Sequence, residues 1–183
     1  MSLVTMEDFE ICKQIYTGRR YDSKGKGNAK LAYVLSRLST QERGDTCEHL
    51  IAAEMQKRDW KSRVTARKYP YDINSYKNGS RLHIEVKSAL LQASGAWTMQ
   101  AVSPWHDDGE QKWDVLVMCC VCPVNGVVVR AAHHSDVVDF LEEKTENNHC
   151  ADGRYNIYIN KHYDNKKLDL YAFDDIIKFY EPE

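Results

Sequence analysis

Residues 114 to 122 read Asp-Val-Leu-Val-Met-Cys-Cys-Val-Cys, an almost unbroken apolar run of strand length. A strand with one wet face alternates apolar and polar residues, whereas a strand covered on both faces has no reason to. This segment, and Gly126 to Ala131 beyond the Pro123-Val124-Asn125 turn, are therefore expected as central strands of a sheet with a layer on each side. The 183 residues are enough for one such domain with a buried core.

The rest of the chain supplies the layers. Apolar residues at helical spacing predict helices over residues 5 to 16 and 28 to 39, joined by the glycine- and lysine-rich stretch 18 to 27. Gly44-Asp45 opens a third predicted helix with Cys47, Leu50, Ile51 and Met55 on one face. From Trp60 the pattern changes. Val64, residues 71 to 76 and residues 82 to 86 alternate or carry β-branched side chains, with Asn78-Gly79 between the last two. Asn-Gly tolerates positive φ at both central positions of a type I′ turn, so a two-residue hairpin is expected there. Residues 88 to 112 show no period and contain Gly95, Pro104 and Gly109, which predicts a long loop or lid. Ser135 is expected to cap a helix to about Glu143, Tyr155 to Ile159 alternates like a strand, and Asp174 to Tyr180 predicts a last helix. This order implies an α/β or α+β fold with a mixed central sheet flanked by helices. The expected division is an N-terminal helical extension over 1–43 and a core domain over 44–183.

Composition narrows the function classes. With 43% apolar and 28% charged residues the chain resembles neither disordered nor collagen-like proteins. No apolar run approaches the roughly 18 residues that a membrane span needs. The start, Met-Ser-Leu-Val-Thr-Met-Glu-Asp, lacks the basic segment and apolar stretch of a secretory leader. A cytoplasmic location is expected. The six cysteines, three of them crowded at Cys119, Cys120 and Cys122, lack the spread of a disulfide framework and are expected as free thiols. The formal charge of −2 excludes a generically basic nucleic-acid binder. Local patches remain: Arg19, Arg20, Lys24, Lys26 and Lys30 form one, and Lys57, Arg58, Lys61, Arg63, Arg67 and Lys68 another. Either patch is equally readable as scattered solvated charge.

The hairpin carries the chemistry. In a two-residue loop, facing positions on the two strands have numbers that add to the same total as 78 and 79, so Asp72 faces Glu85. Their Cβ atoms are expected roughly 5 Å apart, with Lys87 on the same face and Ile73, Leu82, Ile84 and Val86 on the other. Facing carboxylates repel, and the arrangement makes sense if a cation sits between them. Magnesium prefers oxygen ligands and is typically bound by one or two carboxylates together with substrate phosphate. A neighbouring lysine can then orient or deprotonate the attacking water and offset charge developing on phosphorus. The competing reading is a solvated, salt-bridged face in which Lys87 only pairs with Glu85 or Asp72.

Tyr71-Asp72-Ile73 followed by Ile84-Glu85-Val86-Lys87 resembles the signature of the PD-(D/E)XK nuclease superfamily. The residue before the aspartate is Tyr71, with Pro70 displaced by one position. The helix containing Asp45-Thr46-Cys47-Glu48 and the strand beginning Trp113-Asp114-Val115-Leu116 sit where that pattern expects them, so the resemblance covers residues 44 to 122. It implies a restriction-endonuclease-like core and a metal-dependent DNA endonuclease of restriction-like, homing or repair type. Asp72, Glu85 and the Val86 carbonyl would hold magnesium, with manganese as substitute, while Lys87 aids the water. DNA is the implied partner, and a homodimer is expected because one centre cuts one strand. Glu48 has two readings: with Asp45 as N-cap it occupies the capping-box position, yet it also borders the face from which it would point at the metal.

Other constellations are weaker. A non-catalytic nucleic-acid-binding module of the same fold is the alternative, and the intact acid pair with its lysine argues against it. Cys119 and Cys122 with His149-Cys150 have the spacing of a zinc set, but neighbours in a β-like run point to opposite faces. His133-His134 is expected to close a turn. Trp97, Trp105, Trp113 and the His106-Asp107-Asp108 cluster either stack on nucleic acid or pack a loop.

Overall fold

A computed structural model describes residues 29–123, 126–142, 149–150, 154–160, 162, 165 and 167–181. The expected helix over 5 to 16 and the basic patch from Arg19 to Lys26 lie outside the described residues. The chain is a mixed α+β fold. Helices α1 (Ala29–Arg37) and α2 (Thr40–Gln56) lead into strands β1 (Lys61–Val64), β2 (Ile73–Lys77), β3 (Ser80–Leu90), β4 (Trp97–Val102), β5 (Val115–Cys122) and β6 (Gly126–His133). Helix α3 (His134–Glu142), strands β7 (His149–Cys150), β8 (Arg154–Ile159) and β9 (Tyr171–Ala172), and helix α4 (Phe173–Phe179) follow. A six-stranded sheet has the order β1-β2-β3-β5-β6-β9, and a three-stranded sheet the order β4-β8-β7. All pairings are antiparallel except β3 with β5, which makes the main sheet mixed.

The apolar run is explained by cover on both faces. Val115, Val117, Cys119 and Val121 join a core cluster with α1, α2 and α4, while Leu116, Met118, Cys120 and Cys122 join a second cluster with the small sheet and α3. Every residue of β5 is buried. Cys119 and Cys122 therefore face opposite layers and cannot chelate one ion, and Cys47, Cys119, Cys120 and Cys122 are buried free thiols.

Residue 43 lies inside α2, and Leu31, Ala32 and Leu35 of α1 are fully buried in the same core as Ile51, Ile84 and Val117. Three element positions differ from the expectation. Helix α2 begins at Thr40 and not at Asp45. Its cap is Ser39, whose hydroxyl accepts from the Glu42 N–H while the Glu42 carboxylate accepts from the Ser39 N–H. The segment 88 to 112 is not one long loop: β3 runs on to Leu90, and β4 occupies 97 to 102. A register shift between Met99 and Val102, with Ala101 at φ 56°, interrupts the alternation of β4 and hides it from a period-two search. Helix α3 starts at His134, one residue before the expected cap Ser135.

No helix among the described residues is long and apolar enough to cross a membrane.

Candidate active site

The hairpin has the register that its turn dictates. Ile73 pairs with Ile84, Ser75 with Leu82 and Lys77 with Ser80, and Asn78 and Gly79 have φ of 46° and 93° as a type I′ turn requires. Regular pairing stops at Ile73. Just before it, the Asp72 N–H donates to the Ile84 carbonyl, and one Asp72 carboxylate oxygen accepts the Val86 N–H at 2.8 Å. Asp72 thus stands in for a strand where β2 has ended, and beyond it the β3 edge opens onto a cleft.

Glu85 follows on the same face as Asp72. Its carboxylate is in hydrogen-bond contact with Asp72, and its Oε1 lies 2.5 Å from the Lys87 ammonium. Burial, with Asp72 adding to it and Lys87 opposing it, pushes the Glu85 carboxyl up to about 7. Burial pulls the Lys87 ammonium down, but Glu85, Asp72 and Glu48 together outweigh it and hold the lysine above its ordinary value. The lysine is thereby kept charged, with its ammonium directed to the carboxylates it neutralises.

Glu48 comes from the other wall. With Ser39 and Glu42 forming the capping box, Glu48 lies well inside α2 and has no capping duty. Burial first, then Asp72, Asp45 and Glu85, raise its carboxyl to about 7, with Lys87 opposing. Helix and strand bound a cleft of about 580 Å³, in which Glu48 and Asp45 face Asp72, Val86 and Lys87, with Thr98 and Gln100 of β4 beyond them. Arg43, 6% exposed, lines the same cleft and has no carboxylate partner among the described residues.

The residues present fit a hard divalent ion. Asp72 has one oxygen bound to a backbone N–H, Glu85 has one oxygen on Lys87, and strand geometry turns the Val86 carbonyl to the same open edge as its N–H. Carboxylates pushed up toward neutrality by burial, and further by one another, hold negative charge that a cation would relieve. Among the described residues no three histidine, cysteine, aspartate or glutamate side chains form a metal-binding group, so the fit rests on two carboxylates and a carbonyl and not on a closed cage.

His133, His134, Trp97, Trp113 and Asp108 have structural contacts. His134 is buried, with Nε2 3.1 Å from the Pro104 carbonyl and its ring edge-on to Trp105 and Trp113. Nδ1 of His133 lies 3.0 Å from the Tyr180 hydroxyl. Trp97 and Trp113 are core residues whose indole N–H groups donate to Val121 and Ser103 carbonyls. Asp108 accepts the Glu110 N–H within a turn. Sequence reasoning missed Arg43 as a cleft residue, because its signal depends on where α2 begins.

Residues 46–104 match the protein family described as Protein NO VEIN, C-terminal, a stretch that contains Glu48, Asp72, Glu85 and Lys87 but is less than half of the chain. No curated protein matches the chain. Among solved structures, the bacterial homing endonuclease I-Ssp6803I is similar over 56% of this chain and 74% of its own, with 19% identity and a TM-score of 0.44.

Proposed function

We propose that the chain is a metal-dependent nuclease of the PD-(D/E)XK type that hydrolyses phosphodiester bonds in DNA. The observation that carries this reading is the meeting of two carboxylates and a protonated lysine at the open edge of β3, facing a third carboxylate across a cleft. A salt-bridged surface face would leave its carboxylates solvated. Here burial and mutual repulsion raise two of them to about 7, a pattern typical of functional sites.

Asp72, Glu85 and the Val86 carbonyl would hold magnesium, or manganese in its place, which supplies Lewis-acid polarisation of a phosphoryl oxygen. Lys87 donates hydrogen bonds to the entering water and to charge developing on the phosphoryl oxygens. Glu48, poised near neutrality, accepts the proton that water loses as its oxygen bonds to phosphorus, and the bridging P–O bond breaks with its electron pair on the departing sugar oxygen, which takes up a proton from solvent. A double-strand break needs two such centres, so a homodimer is the assembly expected for that product.

Purified protein with magnesium or manganese should nick or cut supercoiled DNA and lose the activity in chelator. Asp72→Asn, Glu85→Gln and Lys87→Ala should each remove most turnover, and Glu48→Gln should lower it by about 10²-fold or more. Wild-type cutting by Asp72→Asn, measured by gel assay, would falsify the assignment.

A further inference from the structure

The face of the sheet that carries Asp72 and Glu85 continues away from the cleft as an exposed surface. Across three strands, Lys61 is level with Tyr76 and Arg81, and Arg63 with Asn74 and His83. All six side chains stand on the face opposite Ile73, Leu82 and Ile84. Lys61, Arg63 and Arg81 are exposed and in no ion pair among the described residues, and Tyr76 is 44% exposed. Toward the cleft, His83 stacks on Tyr71 with ring centroids 4.0 Å apart and planes 9° from parallel, and Tyr69 lies next to Tyr71.

This pattern is unusual for a surface that has only to stay soluble. Mixed charges would serve that purpose, yet the two rows hold three unpaired cations and no acid. Together with Tyr76 and Asn74 they border a hollow of about 560 Å³ that Gln56 also lines. Flat exposed aromatics bordered by cations suit an unpaired strand, because a base has to leave a duplex before its face can stack on a side chain. The strip ends at the carboxylates: Tyr76 is four strand residues from Asp72, about 13 Å along β2.

We infer that the exposed face of β1, β2 and the first half of β3 is a docking platform for single-stranded nucleic acid. Lys61, Arg63 and Arg81 contact phosphates, Tyr76 stacks on a base, and the strand is led toward the Asp72–Glu85 edge. The inference deepens the nuclease reading by naming its substrate as an unpaired segment, and it rests on that reading only for what happens at the end of the track.

The test is binding without turnover. Fluorescence anisotropy in chelator would compare fluorescein-labelled oligothymidylate with a mixed-sequence duplex of the same length. Wild type is expected to prefer the single strand. Lys61→Ala/Arg63→Ala/Arg81→Ala should weaken it at least tenfold and reduce the salt slope of log K by about 2, from three lost phosphate contacts. Tyr76→Ala should weaken single-strand binding about 5- to 100-fold and duplex binding hardly at all, with Tyr76→Phe restoring it. All of these side chains are solvent-exposed, and unchanged thermal melts would confirm that the variants fold. Single-strand affinity that survives the triple substitution, equal losses on duplex and single strand in Tyr76→Ala, or no affinity for either oligonucleotide would overturn the platform. The outcomes separate the two ideas: platform-dependent binding without magnesium-dependent cutting removes the nuclease reading alone, and cutting with unaltered binding by the triple variant removes the platform alone.

Discussion

Asp72 holds the Val86 N–H and also repels Glu85, and two substitutions separate these effects. Asparagine keeps an acceptor and removes the charge, so in chelator Asp72→Asn should melt at the wild-type temperature or above it. Alanine leaves the N–H unpaired and should cost about 1–3 kcal/mol. Magnesium, binding only the folded state, should raise the melting temperature of wild type and of neither variant. A drop for Asp72→Asn in chelator, with no magnesium response in wild type, would sink the site and leave a structural salt bridge. Glu48 and Glu85 give a second test. Both carboxyls rise from an ordinary 4.5 to about 7 on folding, so the folded state binds more protons between those values. The stabilisation this gives is fully present below pH 4.5 and is lost as pH rises through 7. Urea midpoints in chelator should fall over that window, and a Glu48→Gln/Glu85→Gln double variant should flatten the fall. These residues were legible in the sequence because a two-residue turn fixes a local register, leaving little for tertiary structure to decide. Arg43 and the role of Glu48 were not, since both depend on the phase of a helix whose start a local pattern misplaced.

Helix α2 shows how such a misplacement arises. Gly44 interrupts the helical pattern, and Asp45 with Glu48 imitates a capping box, whereas the box in use is Ser39 with Glu42, six residues earlier. Glycine inside a helix weakens it by about 1 kcal/mol relative to alanine without stopping it, and the burial of Cys47, Leu50, Ile51 and Met55 overrides that cost. Ser39→Ala should therefore lower stability by about 1 kcal/mol in urea denaturation. Asp45→Ala should be neutral or stabilising, because it puts a better helix former in mid-helix and removes a charge that repels Glu48. A larger loss at Asp45 than at Ser39 would restore the later start. The strands were read with similar unevenness. β5 and β6 stand out by composition, but β4 is concealed by its bulge, and the second half of β3 is identifiable only through its parallel pairing with β5.

At the scale of the molecule, one layer of the core is shared by residues on both sides of the expected boundary at 43. A chain beginning at residue 44 would lose Leu31, Ala32 and Leu35 together with the capped first turn of α2, uncovering β5 and β6. It should show weakened near-ultraviolet circular dichroism and bind a hydrophobic dye, while Leu35→Ala in the full chain should cost about 2–5 kcal/mol. A truncated chain with native-like spectra and no dye binding would make the extension dispensable. The central strand has a further consequence. Cys119 and Cys120 are fully buried, with their thiols held above their ordinary acidity range, and Cys47 and Cys122 are buried with them. A thiol closed off from solvent is out of reach of alkylating and oxidising reagents. Each of the four is thus silent while the sheet is closed, and modification at one of them would leave a covalent record that the layers had parted.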